Sequence, residues 1–350
     1  MNDRRYKSAK RSSGGLTGKQ VGLAILCTVL AVILCLLVMF TAYVESMLGL
    51  LNRNVDDAPM SAEEYLQFLQ NQDKEEVDPN LQQVDPDHIQ WGENVGVFEK
   101  DENVVNILLV GQDRRPGEGR TRSDSMILCT INKKTKTLTM TSFMRDMYVQ
   151  IPGYYDDRIN ACYVIGGFEL LDNCLQKNFG VQVDGNLEVD FYGFQDVINA
   201  MGGVDIELTE AEASYMNTTF GTAVSGGWNH LDGYAALSYS RIRYVGNGDF
   251  GRTNRQRVVL TALVEKCKGM SLAELNSTAK AILPLMTTDM TNAEIMDYII
   301  DFFPMLTDLK IKTQRIPADG TYYDANIRDM SVLVPDLEAN RQLLADAMAG

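Results

Sequence analysis

Hydrophobic positions along the chain fall into three textures. Residues 21–44 form one uncharged apolar run rich in Leu, Val, Ile and Ala. At about 1.5 Å rise per residue the run reaches roughly 36 Å, which predicts a membrane-crossing helix. A cleaved signal peptide would carry a shorter apolar core and a small-residue cleavage site. Glu45-Ser46-Met47 is a poor one, so the run reads as an uncleaved anchor. Residues 45–102 are polar, with Pro59, Pro79 and Pro86. Ser61 followed by Glu64, then Tyr65, Leu66, Phe68 and Leu69, predicts a short helix with a capping box. The rest of this stretch reads as a linker that holds the next domain off the lipid surface.

From Asn103 the pattern becomes that of a packed domain. Residues 104–110 are a buried-type strand, 125–131 another, and 137–143 alternate like a third after a turn at 132–136. Helical periodicity covers 160–177 and 191–201, and Gly202-Gly203 stops the second. A short strand is predicted at 204–208. Helices follow at 232–240, 253–268, 271–283 and 291–302, then a strand at 309–316. Strands with helices between them predict a layered α/β domain over 103–350.

Charge sharpens this division. The 350 residues carry a net charge of −15. Residues 1–20 hold Arg4, Arg5, Lys7, Lys10, Arg11 and Lys19 against Asp3 alone, a basic tail that predicts a cytoplasmic N-terminus and an outward-facing remainder. Residues 45–102 are strongly acidic, with 15 acids and 3 bases. An acidic chain has little to offer nucleic-acid phosphates, so no nucleic-acid partner is expected. Two His, His88 and His230, cannot build a His-rich metal site. No Cys-x-x-Cys pair occurs. Cys27 and Cys35 fall in the apolar run. Cys162 and Cys174 flank one predicted helix, about 18 Å apart at helical rise, too far to bond.

Several polar residues carry candidate chemistry. Asp113 follows the first strand and Asp124 opens the second. Two acids at neighbouring strand mouths can share a hard cation such as Mg²⁺, which takes carboxylate and phosphate oxygens. Turn or capping roles are the alternative. Arg145-Asp146 follows the third strand, and Arg158-Ile-Asn160 opens the first helix. The densest signal lies between residues 239 and 256. There Arg241 and Arg243 share a face if extended, and Arg252, Arg255 and Gln256 share one if helical. Arginine's planar fork binds phosphate oxygens in pairs. Two Asp and this set of Arg outline a pyrophosphate–metal site. Phe191, Phe194, Ile198, Met201, Leu260 and Leu263 sit at helical spacing and read as ordinary core.

These residues resemble the LytR–CpsA–Psr family of cell-envelope proteins. The resemblance rests on Asn106-Ile-Leu-Leu-Val-Gly-Gln-Asp-Arg-Arg115, Arg122-Ser-Asp-Ser-Met-Ile127, Met144-Arg-Asp146, Arg158-Ile-Asn-Ala161, Val189-Asp-Phe-Tyr-Gly-Phe194, Gly202-Gly-Val204, Leu231-Asp-Gly233, Ala236-Leu-Ser-Tyr-Ser-Arg-Ile-Arg243 and Gly248-Asp-Phe-Gly-Arg-Thr-Asn-Arg-Gln-Arg257, in family order. It implies an α/β/α sandwich with a central mixed sheet, preceded by one N-terminal transmembrane helix. The implied organisation is a cytoplasmic tail at 1–20, the anchor at 21–44, an acidic extracellular linker at 45–102 and the catalytic domain at 103–350.

The implied activity is transfer of a glycopolymer (wall teichoic acid, capsule or similar) from a polyprenyl-pyrophosphate carrier onto peptidoglycan at the outer face of the lipid bilayer. By the same resemblance Asp113 and Asp124 hold Mg²⁺, with Mn²⁺ as an alternative. Arg122, Arg145, Arg158, Arg241, Arg243, Arg252 and Gln256 hold the pyrophosphate, with Arg255 beside them. Arg122 and Arg145 act in catalysis, and Asp249 either orients an Arg or accepts a proton. Arg158 stands where the family usually carries Lys, Phe143-Met144 where Ile-Pro is usual, and Ser125 where Thr is usual. A polyprenyl-pyrophosphate hydrolase and a non-catalytic polyprenyl-phosphate binder or scaffold are the competing readings.

Overall fold

The computed structural model describes residues 35, 38–53, 58–70, 77–91, 96–115 and 118–350. Two units separate, Met1–Leu48 and Gly49–Gly350. In the first, residues 38–48 are helical. The basic tail and most of the run expected to cross the membrane lie outside the described residues, and among those described no helix is long and apolar enough to cross one.

The second unit begins with α1 (Ala62–Gln70). Then come β1 (Val104–Gln112), β2 (Ser123–Asn132), β3 (Thr137–Phe143), the short pair β4 (Tyr148–Val149) and β5 (Asp157–Arg158), and α2 (Asn160–Phe179). Next are β6 (Gly185–Asp190), α3 (Phe191–Ala200), β7 (Val204–Leu208), α4 (Glu210–Phe220), β8 (Gly227–Leu231), α5 (Gly233–Ser240) and α6 (Gly248–Lys268). The chain closes with α7 (Leu272–Ile282), β9 (Thr287–Thr288), α8 (Asn292–Phe302), β10 (Lys310–Ile316), the hairpin β11 (Tyr322–Ile327) and β12 (Met330–Pro335), and α9 (Leu337–Ala349).

The central sheet runs in the order β10-β3-β2-β1-β6-β9. It is mixed: β1 pairs antiparallel to β2 and parallel to β6, and β3 pairs antiparallel to β2 and parallel to β10. Alternation sorts its side chains. Leu108, Val110, Met126, Leu128 and Phe143 face Ile165, Phe168, Leu171 and Leu175 of α2 and Leu344 of α9. Ile127, Leu138 and Met140 face the other way, against Leu260 and Val264 of α6. The result is the expected α/β/α sandwich. A second cluster joins α3, α4, α5 and α6 over the β7–β8 ribbon through Ile198, Met216, Leu231, Ile242 and Val259.

Local signals fix the helix starts. Asp190 and Asp232 accept from the backbone N–H of Gly193 and Ala235 at 2.8 and 2.9 Å. Thr209–Glu212, Ser271–Glu274 and Thr291–Glu294 are capping boxes. Ser61 and Glu64 exchange the same pair of bonds at the head of α1. That helix belongs to the stretch read as a linker, yet Tyr65 is buried in the main core with Met60 and Phe68 packed beside it. Its aromatic stripe had a core to join.

The long helix α2 departs from expectation. Gly166 and Gly167 leave helical geometry, Gly167 at φ 65°, so the element bends inside its span. The bend brings Cys162 and Cys174 into contact instead of 18 Å apart. A hydrogen bond with Cys174 adds to burial in raising the Cys162 thiol well above its ordinary pKa. Both cysteines are free thiols.

Candidate functional site

The site gathers where β1 ends, β2 begins and β3 ends. Gly111 pairs with Ser125 and Gln112 with Ser123, so Asp124 is the extra residue of a β-bulge. A bulge re-aims its side chain, and Asp124 meets the Arg145 guanidinium that follows β3, Nη1 to Oδ1 at 2.8 Å. Arg145 Nε also lies 3.2 Å from Asp249 Oδ2 and 3.4 Å from Asp146 Oδ2. Asp249 sits in the first turn of α6, where a negative charge complements the helix dipole. It draws two more arginines: Arg243 Nε at 3.3 Å from Oδ1 and Arg252 Nη2 at 3.3 Å from Oδ2. The tight turn into α6 carries Gly246 and Gly248 at φ 79° and 56°, a region L side chains rarely adopt.

The electrostatics follow from burial opposed by partners. Burial works against ionisation of Asp249, but Arg252 and Arg145, a hydrogen bond with Asp146, and Arg243 outweigh it and hold its pKa low. Asp146 goes the other way. Burial, only partly offset by Arg145, and the neighbouring Asp249 charge push it up to about 6. Burial pulls Arg252 down to about 10, so it stays charged at neutral pH. Arg252 is 4 % exposed, and its Nε has no hydrogen-bond partner among the described residues.

Arg241 lies at the edge of this cluster, its Nη2 4.0 Å from Asp113 Oδ2 and its guanidinium 5.0 Å above the ring of Phe191. Phe191 belongs to the wall of an adjoining cavity with about 860 Å³ of empty space, counting its open mouth. Sheet residues of β1, β2 and β6 form one wall, and α3, α5 and α6 the other; Leu187, Phe194, Leu260 and Leu263 make it apolar. Gln256 lines it too, accepting from Ser125 Oγ at 3.1 Å. Of the six residues read as plain core, Phe191, Phe194, Leu260 and Leu263 border this cavity, whereas Ile198 and Met201 are core.

The sequence-derived set is therefore brought together in part. Asp249 joins Arg145, Arg243 and Arg252, and Arg145 links them to Asp124, while Arg241 pairs with Asp113 and Gln256 with Ser125 beside them. The Arg122 guanidinium lies over the ring of Phe68 of α1, 5.3 Å from its centroid. Arg158 is 1 % exposed and reaches Asp146 Oδ1 with Nη1 at 3.5 Å, behind the cluster's open face.

Arg255 has other partners. Its Nε binds Glu212 Oε1 at 2.7 Å, and Nη1 and Nη2 donate to the carbonyls of Ile242 and Val245 at 3.1 and 2.7 Å. It points about 60° around α6 from Arg252, and each of its three nitrogens already has a partner within the fold. Two residues were missed. Asp146 was in plain view beside Arg145. Glu188 is 5 % exposed in the cavity wall, accepting from Gln112 Nε2 at 2.6 Å and Tyr163 OH at 3.0 Å and paired with Arg114 Nη2 at 3.2 Å. The polar text of β6 hid it.

Metal fit turns on the donor set. Among the described residues no group of three or more His, Cys, Asp or Glu is arranged to hold a metal ion. Asp113, just past β1, and Asp124, in β2, are two hard oxygen donors, the first exposed at 54 % and the second half-buried at 26 %. That suits Mg²⁺, which takes one or two carboxylates and fills its remaining positions with water and substrate phosphate.

Known proteins share this architecture. The model of the LytR_cpsA_psr family matches residues 58–345. The regulatory protein MsrR of Staphylococcus aureus is 30% identical over 251 residues, covering 71% of this chain and 75% of that one. The polyisoprenyl-teichoic acid–peptidoglycan teichoic acid transferase TagU of Bacillus licheniformis is 32% identical over 263 residues, covering 70% and 83%. Among solved structures, the LytR-CPS2A-psr family protein YwtF (TagT) with bound octaprenyl pyrophosphate lipid superposes with a TM-score of 0.57 at 25% identity, covering 74% of this chain and 98% of that one.

Proposed function

Because this chain belongs to the LytR–CpsA–Psr family, we propose that it is a membrane-anchored, outward-facing phosphotransferase that moves a glycopolymer from a polyprenyl-pyrophosphate carrier onto peptidoglycan. The observation that carries the reading is the contact between Arg241 and Phe191, where a cluster of arginines abuts an apolar cavity. A polyprenyl pyrophosphate has the same two halves. The named activity of TagU and the lipid bound to TagT support the assignment. The apolar run at 21–44 and the basic tail before it supply the anchor and its orientation.

In this reading the prenyl chain enters the cavity past Phe191, and Arg145, Arg241, Arg243 and Arg252 hold the pyrophosphate oxygens. Gln256 adds to the set from the cavity wall, Arg158 supports it from behind Asp146, and Arg122 would have to leave the ring of Phe68 to join them. The cluster is preorganised for charge. Five guanidiniums (Arg145, Arg158, Arg241, Arg243, Arg252) face three carboxylates (Asp113, Asp124, Asp249), while Asp146 keeps its proton below about pH 6. Two positive charges remain for the incoming anion below about pH 6, and one remains once Asp146 ionises above it. A Mg²⁺ held by Asp113 and Asp124, or Mn²⁺ in its place, would supply Lewis-acid neutralisation of the same phosphates. Asp249 holds three arginines and its pKa is low, which suits the orienting role rather than that of a base. Fixed donors of this kind stabilise the charge of an in-line displacement, in which an acceptor sugar hydroxyl attacks phosphorus and polyprenyl phosphate leaves.

The test uses the full chain in detergent with a polyprenyl-pyrophosphate oligosaccharide, Mg²⁺ and a peptidoglycan oligomer, read by mass spectrometry. Sugar phosphate joined to the oligomer, with polyprenyl phosphate released, is the expected product. Sugar phosphate released only to water would make the protein a hydrolase, and unchanged, tightly retained lipid would make it a binder.

A further inference from the structure

The loop from Arg241 to Asn247 does more than carry two arginines to the cluster. Its Tyr244 is 85 % exposed, directly after the Arg243 that contacts Asp249. A bulky ring thrust into solvent usually belongs to a loose loop. This loop is braced instead. The buried Arg255 clamps the carbonyls of Ile242 and Val245, on either side of Arg243 and Tyr244, and ties them to Glu212 of α4. One turn along the same helix, Tyr215 meets the Tyr244 ring at 6.3 Å between centroids. Tyr215 in turn packs edge-on to Phe220 at 5.9 Å, and Tyr234 OH donates to the Phe220 carbonyl at 2.7 Å. Tyr234 is itself half exposed. A strip of aromatic rings thus runs from Tyr244, next in the chain to Arg243, over α4. A buried ion pair is costly to maintain without a structural return. Here the return is a backbone held on both sides of Arg243 and Tyr244.

We propose that Tyr244, with the aromatic strip it heads, is the docking track for sugar rings of the acceptor glycan next to the reacting phosphate. The proposal rests on the glycopolymer-transfer reading. Aromatic faces carry partial negative charge and pack against the weakly positive C–H face of a pyranose ring. The strip is continuous with the cluster through Arg243, and the acceptor hydroxyl must arrive beside the phosphate that cluster holds. The other end of the loop, at Arg241, touches the cavity wall. The loop therefore reaches from the lipid side of the site to the sugar side.

The experiment uses the full chain in nanodiscs, with a tetrasaccharide fragment of peptidoglycan glycan as probe. Hydrogen exchange of the peptide spanning 241–247 is followed for the parent, Tyr244→Ala and Tyr244→Phe. The tetrasaccharide should protect the loop in the parent and in Tyr244→Phe, which keeps the ring, and leave Tyr244→Ala unprotected. In the transfer assay Tyr244→Ala should raise the acceptor KM about tenfold, more than it lowers kcat, with carrier KM unmoved. Equal protection of Tyr244→Ala, or a loop that the bilayer protects and the sugar does not, overturns the proposal. The exchange readout needs no turnover, so a failed transfer reading and a failed sugar track give different results. Normal transfer with an unaltered acceptor KM in Tyr244→Ala sinks the track alone.

Discussion

Arg252 and Arg255 stand three residues apart on one helix and do opposite work. Both are buried, at 4 % and 6 % exposure. Arg255 has an internal partner on every nitrogen: Glu212 and the Ile242 and Val245 carbonyls. Arg252 shares one carboxylate with Arg145 and Arg243 and keeps a buried Nε unmatched. In the proposed reading an arginine partnered on each nitrogen from within the fold is architecture, and one that shares a single carboxylate with two others is free to take an incoming anion. The difference could not be read from residue type or spacing.

The comparison can be broken most forcefully at Arg255. Removing one partner of a buried ion pair strands the other, so Arg255→Ala should lower stability by about 3–5 kcal/mol, seen as a large fall in Tm. If Arg255→Ala lost transfer while Tm held, the assignment of the two arginines would have to be exchanged. Arg252→Ala should do the reverse. Transfer should drop by about 10²–10³-fold, the usual loss for one fixed donor to developing charge, while Tm shifts far less. A change at Phe191 sharpens the picture at the cavity. Phe191→Ala should raise the carrier KM about tenfold by removing both the cavity wall and the stack under Arg241, and leave the acceptor KM alone.

The smallest effect concerns Asp146. With its pKa raised to about 6, it is neutral in mildly acid solution and gains a negative charge above that. Carrier affinity should therefore weaken as pH rises through 6, and Asp146→Asn should flatten the profile. Stability carries the same sign. Between the ordinary Asp value near 4 and about 6 the folded chain binds more protons than the unfolded one, so this contribution is present at low pH and fades as pH rises. A titration steeper in Asp146→Asn than in the parent would remove Asp146 from the site.

What the sequence made legible was decided by continuity of burial. β1 to β3 are near-continuous apolar or alternating runs, so they stood out, and with them Asp113, Asp124 and Arg145 at their ends. β6 did not, because Asn186, Glu188 and Asp190 look like loop text. Asn186 and Glu188 are buried by partners distant in the same sequence: Asp172 and Asp289 for the first, Gln112, Tyr163 and Arg114 for the second. The β11–β12 hairpin was hidden for another reason. Arg328 and Asp329 form its turn at φ 49° and 60°, where Gly or Asn is the usual signal. In the site, helical spacing put Arg252, Arg255 and Gln256 near one another, but the partner that claims Arg255 lies 43 residues back in the chain. Such long-range pairing is invisible to periodicity. The contact of Cys162 with Cys174 has the same origin, since straight-helix arithmetic does not foresee the bend at Gly166-Gly167.

The most direct measurement is an experimental structure of the full chain with a polyprenyl pyrophosphate and Mg²⁺. The account predicts the prenyl chain between the β1–β2–β6 wall and helices α3 and α6, and the pyrophosphate within hydrogen-bond reach of Arg145, Arg243 and Arg252. Arg255 should still be bound to Glu212. A pyrophosphate seated on Arg255, or a prenyl chain outside the Phe191 cavity, would contradict it.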